Sequence, residues 1–538
     1  MGKTCLSLEE SHRVEIERIR RLAESPGLTD MIDRICLIIP PSLFLLDERV
    51  FMSLGILKVA AVLEQEGIMV ELLDLSGVKN FEEALSDHLG LSQAQCFGLT
   101  ATTPQMPAAT KLQKTIRRLR PTARIILGGP HVTLVYAAAR YERKRSVLGR
   151  ASRSIKQLNA MFDVLVAGDG EIAVFEALQD NPPPIVDGDD PKSALFLNNT
   201  TLEELPFPAR HLVDVSTYQY SIDGTRALSM IAQLGCPFGC GFCGGRMSPF
   251  LRRVRTRSSE HIVREMIHLH HTYSVTGFML YDDELNVNPK MVSLMSLIAD
   301  TQQKLGVEFR LRGFIKAELF TDEQAAAMYE AGFRWILVGF ESGHPQILDN
   351  IQKKATRDDN TRCMEIARRH NLKVKALMSL GHPGESDETI QATRDWLIEI
   401  RPDDFDATVI TTYPGTPYFD EAVETAPGIW SYTCPKSQDR LHSVEVDYRH
   451  VAEYYKGAPG NYTAFVYTDN LTSEQLVDCR DRLECDVRRA LSIPFNNANP
   501  GLRYEHSMGQ NSLPESMLRR SNPARKARKA IRMHRLGG

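Results

Sequence analysis

Twice along this chain, short apolar runs alternate with amphipathic stretches, and that alternation leaves few folds open. Parallel strands buried on both faces read as unbroken Ile, Leu and Val runs, and each needs a crossover helix to bring the chain back. The first set of runs is Arg34–Ile39, Met69–Leu73, Cys96–Thr100, Arg124–Leu127 and Val164–Ala167. Helices are expected between them at Leu54–Glu66, Phe81–Leu89, Met106–Leu119 and, longer, after Gly129. The second set is Ala227–Leu234, Gly277–Tyr281, Glu308–Gly313, Trp335–Phe340, Val374–Leu380 and Asp406–Thr411. The fold class is therefore α/β, and the first set predicts a Rossmann-like (flavodoxin-like) sheet.

Four regions follow. Residues 1–30 are charged and helix-prone (Leu8–Ala23), residues 31–200 hold the first sheet and a linker, residues 201–425 the second set, and residues 426–538 the remainder. The linker is marked by Pro182-Pro183-Pro184 and the acidic stretch Asp187–Asp190. Tyr141–Asn159, rich in Arg and Lys, reads as a solvated helix. The last region is expected to be mainly helical (Ser473–Leu491), with a basic tail that reads as a solvated end. The 538 residues are 43% hydrophobic and 25% charged, the balance of an ordinary globular protein. A net charge of -4 gives no reason to expect nucleic-acid binding. No secretory signal opens the sequence and no apolar run is long enough to span a bilayer. Apart from three clustered cysteines, Cys5, Cys36, Cys96, Cys363, Cys434, Cys479 and Cys485 are dispersed, so the expected location is the reducing cytoplasm.

The clustered cysteines carry the chemistry. Cys236-Pro237-Phe238-Gly239-Cys240-Gly241-Phe242-Cys243 directly follows the first strand of the second set. Three thiolates with no fourth nearby can hold three corners of a [4Fe-4S] cluster and leave one iron open, whereas electron-transfer clusters are closed by four. A structural zinc site remains an alternative, but it favours paired ligand spacings. His261, His268, His270 and His271 come from what reads as an amphipathic helix rather than a second ligand pair.

This triplet resembles the radical S-adenosylmethionine (SAM) superfamily. The resemblance implies a partial six-stranded β/α barrel over residues 201–425, with the amine and carboxylate of SAM on the open iron. One-electron reduction would then cleave SAM to a 5′-deoxyadenosyl radical. Phe242 occupies the family's aromatic position beside the cluster. Gly244 and Gly245 match the start of a Gly-Gly-Glu pattern that Arg246 breaks, so only a backbone role is carried over. Asp282 and Asp283, after the second strand, match Asp-Asp-x-Phe, with Leu285, one place beyond Glu284, where the pattern has Phe. Glu341 and Ser342 lie in Gly-x-Glu-Ser-Gly after the fourth, facing SAM in the family. Glu341 needs a partner if buried, either SAM or a cation such as Arg312, itself a candidate SAM contact closing the third strand. Gly381-His382-Pro383-Gly384-Glu385 and Pro414-Gly415-Thr416-Pro417 match two further turns, expected to be architectural. Arg252–Ser258 resembles a basic segment before the first helix, which Ser258 or Ser259 would cap; it reads as a solvated loop or an anion site.

The loops of the first sheet resemble the cobalamin-binding domain that precedes the SAM domain in one large radical SAM class. They are Pro40-Pro41, Thr100–Thr103, Gly128-Gly129-Pro130-His131 and Gly168-Asp169-Gly170-Glu171. The resemblance implies that Thr100 and Thr102 lie beneath the corrin, with Gly128, Gly129 and His131 near the nucleotide tail. Gly168, Gly170 and Glu171 are further cofactor contacts. The Asp-x-His-x-x-Gly cobalt-ligand signature is absent, so base-off, His-off cobalamin is expected. An empty domain that keeps only the fold is the other reading.

The implied function is a cobalamin-dependent methyltransferase that methylates an unactivated carbon through the 5′-deoxyadenosyl radical and methylcobalamin. Its substrate would be a small molecule or natural-product intermediate, and its electrons would come from a donor such as flavodoxin or ferredoxin. Cyclisation, ring contraction or oxidation on the same architecture stays open, as does a non-catalytic iron–sulfur or zinc-binding regulator. A methylthiotransferase fits less well, since its N-terminal cluster needs three cysteines where this domain offers Cys36 and Cys96.

Overall fold

The computed structural model describes residues 32–42, 48–451 and 463–494, together with the strand Leu518–Arg520. The expected helix at Leu8–Ala23 and the tail beyond Arg520 lie outside the described residues.

In the N-terminal unit, β1 (Arg34–Ile39), β2 (Met69–Asp74), β3 (Cys96–Thr100), β4 (Arg124–Gly128), β5 (Val164–Gly168) and β6 (Ile185–Gly188) form one parallel sheet. The spatial order β2-β1-β3-β4-β5-β6 reverses direction between β1 and β3, where ligands of such sheets settle at the carboxyl ends. The linker assignment for Asp187–Asp190 needs correction, because Ile185–Gly188 is β6. Its Pro-rich approach hid a strand whose partner lies on one side only. Leu518–Arg520 adds to the opposite edge, antiparallel to β2, so this part of the tail is not a free end.

β7 (Tyr220–Ile222) pairs antiparallel with β8 (Thr225–Met230), and a short ribbon of β9 (Gln233–Leu234) and β10 (Arg255–Thr256) follows. Beyond β8 run β11 (Gly277–Leu280), β12 (Arg310–Ile315), β13 (Phe333–Glu341), β14 (Lys373–Leu380) and β15 (Asp404–Val409), all parallel and in sequence order. Burial alternates along β12 and β15, which sends Arg310, Arg312 and Phe314 to one face and the buried Leu311 and Ile315 to the other. Helices cover that apolar side; Ser258 caps Ser259–Tyr273 and Ser386 caps Asp387–Ile400, as the local Ser/Thr chemistry requires.

The C-terminal region carries the expected helix Ser473–Leu491, packed against β15 and the helix Asp387–Ile400. Four strands that the sequence reading did not place precede it: β16 (Val423–Ala426), β17 (Ile429–Thr433), β18 (Arg440–Val444) and β19 (Val466–Thr468), all antiparallel.

A buried ion pair joins the two α/β units: Arg255 Nη1 meets Asp169 Oδ2 at 2.5 Å, while within the second unit Arg210 and Arg257 share Glu265 at 2.7 and 2.6 Å. Arg255 and Arg257 are thus neither solvated nor free for an anion. The segment Tyr141–Asn159 is likewise more than a solvated helix: Arg150 is buried, stacked 3.7 Å from the Phe419 ring centroid and 4.0 Å from that of Trp430.

Candidate active site at the strand ends

The cysteine loop leaves β9 and is held in shape by backbone bonds to distant turns. Cys236 N–H donates to Leu251 O (2.9 Å), and Gly241 N–H donates to Ile351 O (2.8 Å). Gly245 and Arg246 both donate to Gly415 O, at 3.0 and 3.2 Å. Gly245 adopts φ +79°, and a Cβ there would collide with Leu251, so the position demands glycine. The sequence reading gives a backbone role to Gly244 and Gly245 alone; the Arg246 amide shares the Gly415 carbonyl with that of Gly245.

The three thiols converge. Cys243 is exposed along the loop, while desolvation of its thiol and then the charges of Cys240, Asp283 and Cys236 raise its pKa. Cys236 is pushed up to about 11, again chiefly by burial, with Glu284, Asp283 and Cys240 adding to it. Among the described residues the only Cys/His/Asp/Glu trio with donors within 4.8 Å of one another is Cys36, Glu71 and His88, inside the first sheet. Positive charge also suits a cluster of thiolates: Lys353 and Lys316, both buried, are the charges that most lower Cys240 against its burial. Lys316 Nζ sits 4.2 Å from the Phe238 ring centroid and donates to Lys353 O at 3.0 Å. Both ring nitrogens of His382 are engaged within the protein, Nε2 with Ser379 Oγ (2.8 Å) and Nδ1 with the Tyr418 hydroxyl (3.4 Å).

A cavity of about 350 Å³ opens beside this loop, lined by Phe242, Glu284, Glu341, Lys353, Ser379 and Tyr413 among others. Glu341 is buried at φ +63° and has a cation partner, but it is Lys353 (2.8 Å), not Arg312. Burial works against its charge, yet Lys353 and the Ser379 hydroxyl (2.8 Å) hold its carboxyl below the ordinary value. Arg312 does not close its strand; β12 continues to Ile315, and Arg312 instead donates to the Tyr220 hydroxyl at 3.2 Å. Ser342 is buried against Thr393 Oγ1 (3.1 Å), and Asp282 Oδ1 accepts from Ala232 N–H (2.8 Å) and Gln233 N–H. Asp282 therefore positions the chain entering the cysteine loop. Glu284, which sequence reasoning passed over, lines the cavity and is pushed up to about 7, mainly by burial. Its carboxylate makes no hydrogen bond or ion pair with the described residues.

On the facing unit, Gly129 adopts φ +97°, and a Cβ would lie 2.6 Å from Thr100 Oγ1 and 2.8 Å from Ala101 N. Ala101 N–H donates to Gly128 O at 3.1 Å, and His131 N–H to Ala101 O at 3.0 Å. His131 is buried, its Nδ1 3.0 Å from Thr103 Oγ1, and burial lowers its pKa to about 4. Thr102 closes a capping box with Gln105. Gly168 N–H donates to Thr133 Oγ1 (2.9 Å), Gly170 begins a helix, and Glu171 pairs with Lys58 at 3.8 Å. The two faces meet at Leu134: a Cβ on Gly244 or Gly415 would stand 3.1 or 3.2 Å from its side chain.

The sequence profile of the radical SAM superfamily matches residues 230–397. That segment is a radical SAM domain. A second profile, the B12 binding domain, matches residues 48–158, so a B12-binding domain lies ahead of it. An uncharacterized methyltransferase of Pyrococcus horikoshii is 26% identical over 341 residues, covering 61% of this chain and 69% of that protein. The anaerobic magnesium-protoporphyrin IX monomethyl ester cyclase of Cereibacter sphaeroides is 25% identical, covering 63% of this chain and 55% of that one. Among solved structures, the radical SAM methyltransferase TsrM of Kitasatospora setae, with cobalamin and [4Fe-4S] cluster bound, aligns at TM-score 0.59 and 18% identity. That alignment covers 93% of this chain and 100% of TsrM. At that identity the likeness is one of fold. No helix among the described residues is long and apolar enough to cross a membrane.

Proposed function

We propose that this chain is a cobalamin-dependent radical SAM methyltransferase acting on a small molecule or natural-product intermediate in the cytoplasm. Cys236, Cys240 and Cys243 would hold a [4Fe-4S] cluster. When bound, the cluster and SAM supply homolytic cleavage of a carbon–sulfur bond, and cobalamin supplies a transferable methyl group. The observation that carries the reading is the meeting of the cysteine loop with the helix that follows Gly128-Gly129-Pro130-His131, at Leu134. It brings the strand ends of both units to one place.

Each residue then has a task. Phe242 walls the cavity beside the cysteines, and Gly244 and Gly245 keep the loop low enough for a cofactor to approach. The Glu284 carboxylate receives the ammonium group of SAM, the work that Arg246 cannot do. Asp283, raised chiefly by desolvation, accepts a backbone hydrogen bond from Gly235 at the start of the cysteine loop. Glu341 and Ser379 offer acceptors at the cavity floor, with Lys353 holding Glu341 in place. Thr100, Thr102, Gly128, Gly129, Gly168 and Gly170 form the corrin platform at the carboxyl edge of the first sheet. His131, held against Thr103, stays off cobalt, which favours base-off, His-off binding. Electrons arrive from a flavodoxin- or ferredoxin-like donor.

Methyl transfer is preferred over ring closure because several relatives are named as methyltransferases and the solved methyltransferase TsrM holds cobalamin and a [4Fe-4S] cluster in the same fold. The test is an anaerobic assay of reconstituted protein with SAM and a reductant. We expect 5′-deoxyadenosine and S-adenosylhomocysteine together with the methylated product. Cys240→Ala should abolish 5′-deoxyadenosine formation; retained cleavage with a normal iron content refutes the cluster assignment. A filled cluster in the native protein that never cleaves SAM would leave the regulator in its place.

A further inference from the structure

A run of aromatic rings leads from the cavity wall outward to the preceding unit, with Phe314 the member of the run that lines the cavity itself. Phe314 lines the cavity from the alternating face of β12. Tyr281, one residue past β11, lies 6.1 Å from it at an interplanar angle of 69°. Phe51, from the unit that precedes the barrel, lies 4.9 Å from Tyr281 at 39° and 4.7 Å from Tyr220 at 60°. Tyr220 is fixed in turn by the Arg312 guanidinium on its hydroxyl (3.2 Å). The rings are therefore anchored, and they are tilted rather than closed face to face. Tyr281 keeps 48% of its surface exposed at a strand end, where a barrel protein places its working residues.

Aliphatic side chains suffice to hold an aliphatic substrate, and Leu377, Val409 and Ile410 supply them elsewhere on the same cavity. A run of tilted rings adds something different: quadrupole faces and edges that attract planar conjugated groups by offset and edge-on stacking. We propose that Phe51, Tyr281 and Phe314 form a stacking wall for a planar conjugated ring, so that the substrate class is aromatic or macrocyclic rather than aliphatic. This rests on the cavity being the chamber in which SAM and substrate meet.

The test uses full-length protein with its cluster reconstituted and two probes of the same skeleton, 2-naphthylmethanol and its saturated decahydro counterpart. SAM affinity is measured on the same samples by equilibrium dialysis. The naphthyl probe should bind more tightly than the saturated one, by about two- to tenfold for each ring engaged. Tyr281→Leu, which keeps bulk but removes the ring, and Phe51→Leu should each erase most of that preference and leave SAM affinity unchanged. Equal binding of the two probes, or binding of neither, overturns the wall while SAM binding stands. A loss of SAM affinity in Tyr281→Leu also overturns it, since the ring would then serve the cofactor. No SAM binding by the native protein sinks the chamber itself and the proposal with it.

Discussion

At the residue scale, two carboxylates show how position decides chemistry. Glu284 feels the charges of Lys353 and Lys316 without a hydrogen bond or ion pair to either, whereas Glu341 is tied to Lys353. Replacing Glu284 by Gln should weaken SAM binding by about ten- to a hundredfold, the worth of a hydrogen bond to a charged group, with iron content unchanged. Equilibrium dialysis checks this, and an altered signal from the reduced cluster without SAM would instead mark Glu284 as an iron ligand. Glu385, in the Gly-His-Pro-Gly-Glu turn, is buried and accepts from the Thr389 hydroxyl (2.6 Å); burial is the main cause of its rise from 4.5 to about 7. Its folded-state pKa lies above the unfolded value, so the stability it contributes is present below about 4.5 and is lost as pH rises through 7. Glu385→Gln should flatten that slope between these values in denaturant titrations of the cluster-free protein. The cysteines and glycines of the site were legible in the sequence because spacing and φ are local properties. The Glu341–Lys353 pair was not, because Lys353 arrives from a loop after the helix Pro345–Asn350 that no periodicity places.

At the element scale, β1 to β5 of the first sheet could be read from their apolar runs, since burial on both faces leaves little other composition available. β6 escaped because its burial alternates and its approach is Pro-rich; β16 escaped because all four residues are exposed. Basic segments were misjudged for a related reason: sequence gives charge but not its counter-charge. Asp169 and Arg255 are far apart in sequence yet both buried, so removing one strands the other. Arg255→Met should cost about 3–5 kcal/mol, measured by denaturant unfolding. Asp169→Asn in the same protein should recover most of it, because the orphaned charge is then gone as well.

At the scale of the whole molecule, two cofactor platforms share one junction yet are built from separate stretches of chain. They should therefore be separable by mutation. Gly129→Val would drive a side chain into Thr100 and Ala101, and anaerobically purified protein should lose its corrin absorbance bands while keeping those of the cluster. Loss of both would mean that the platforms fold as one. The junction also sets an order of events. The amides of Gly245 and Arg246 are held by the carbonyl of Gly415, a residue that follows the last barrel strand. A growing chain therefore possesses its three thiols long before it possesses the turn that shapes them. Iron loading should wait for the barrel to finish, and a truncated product ending before this turn would carry the ligands without their mould.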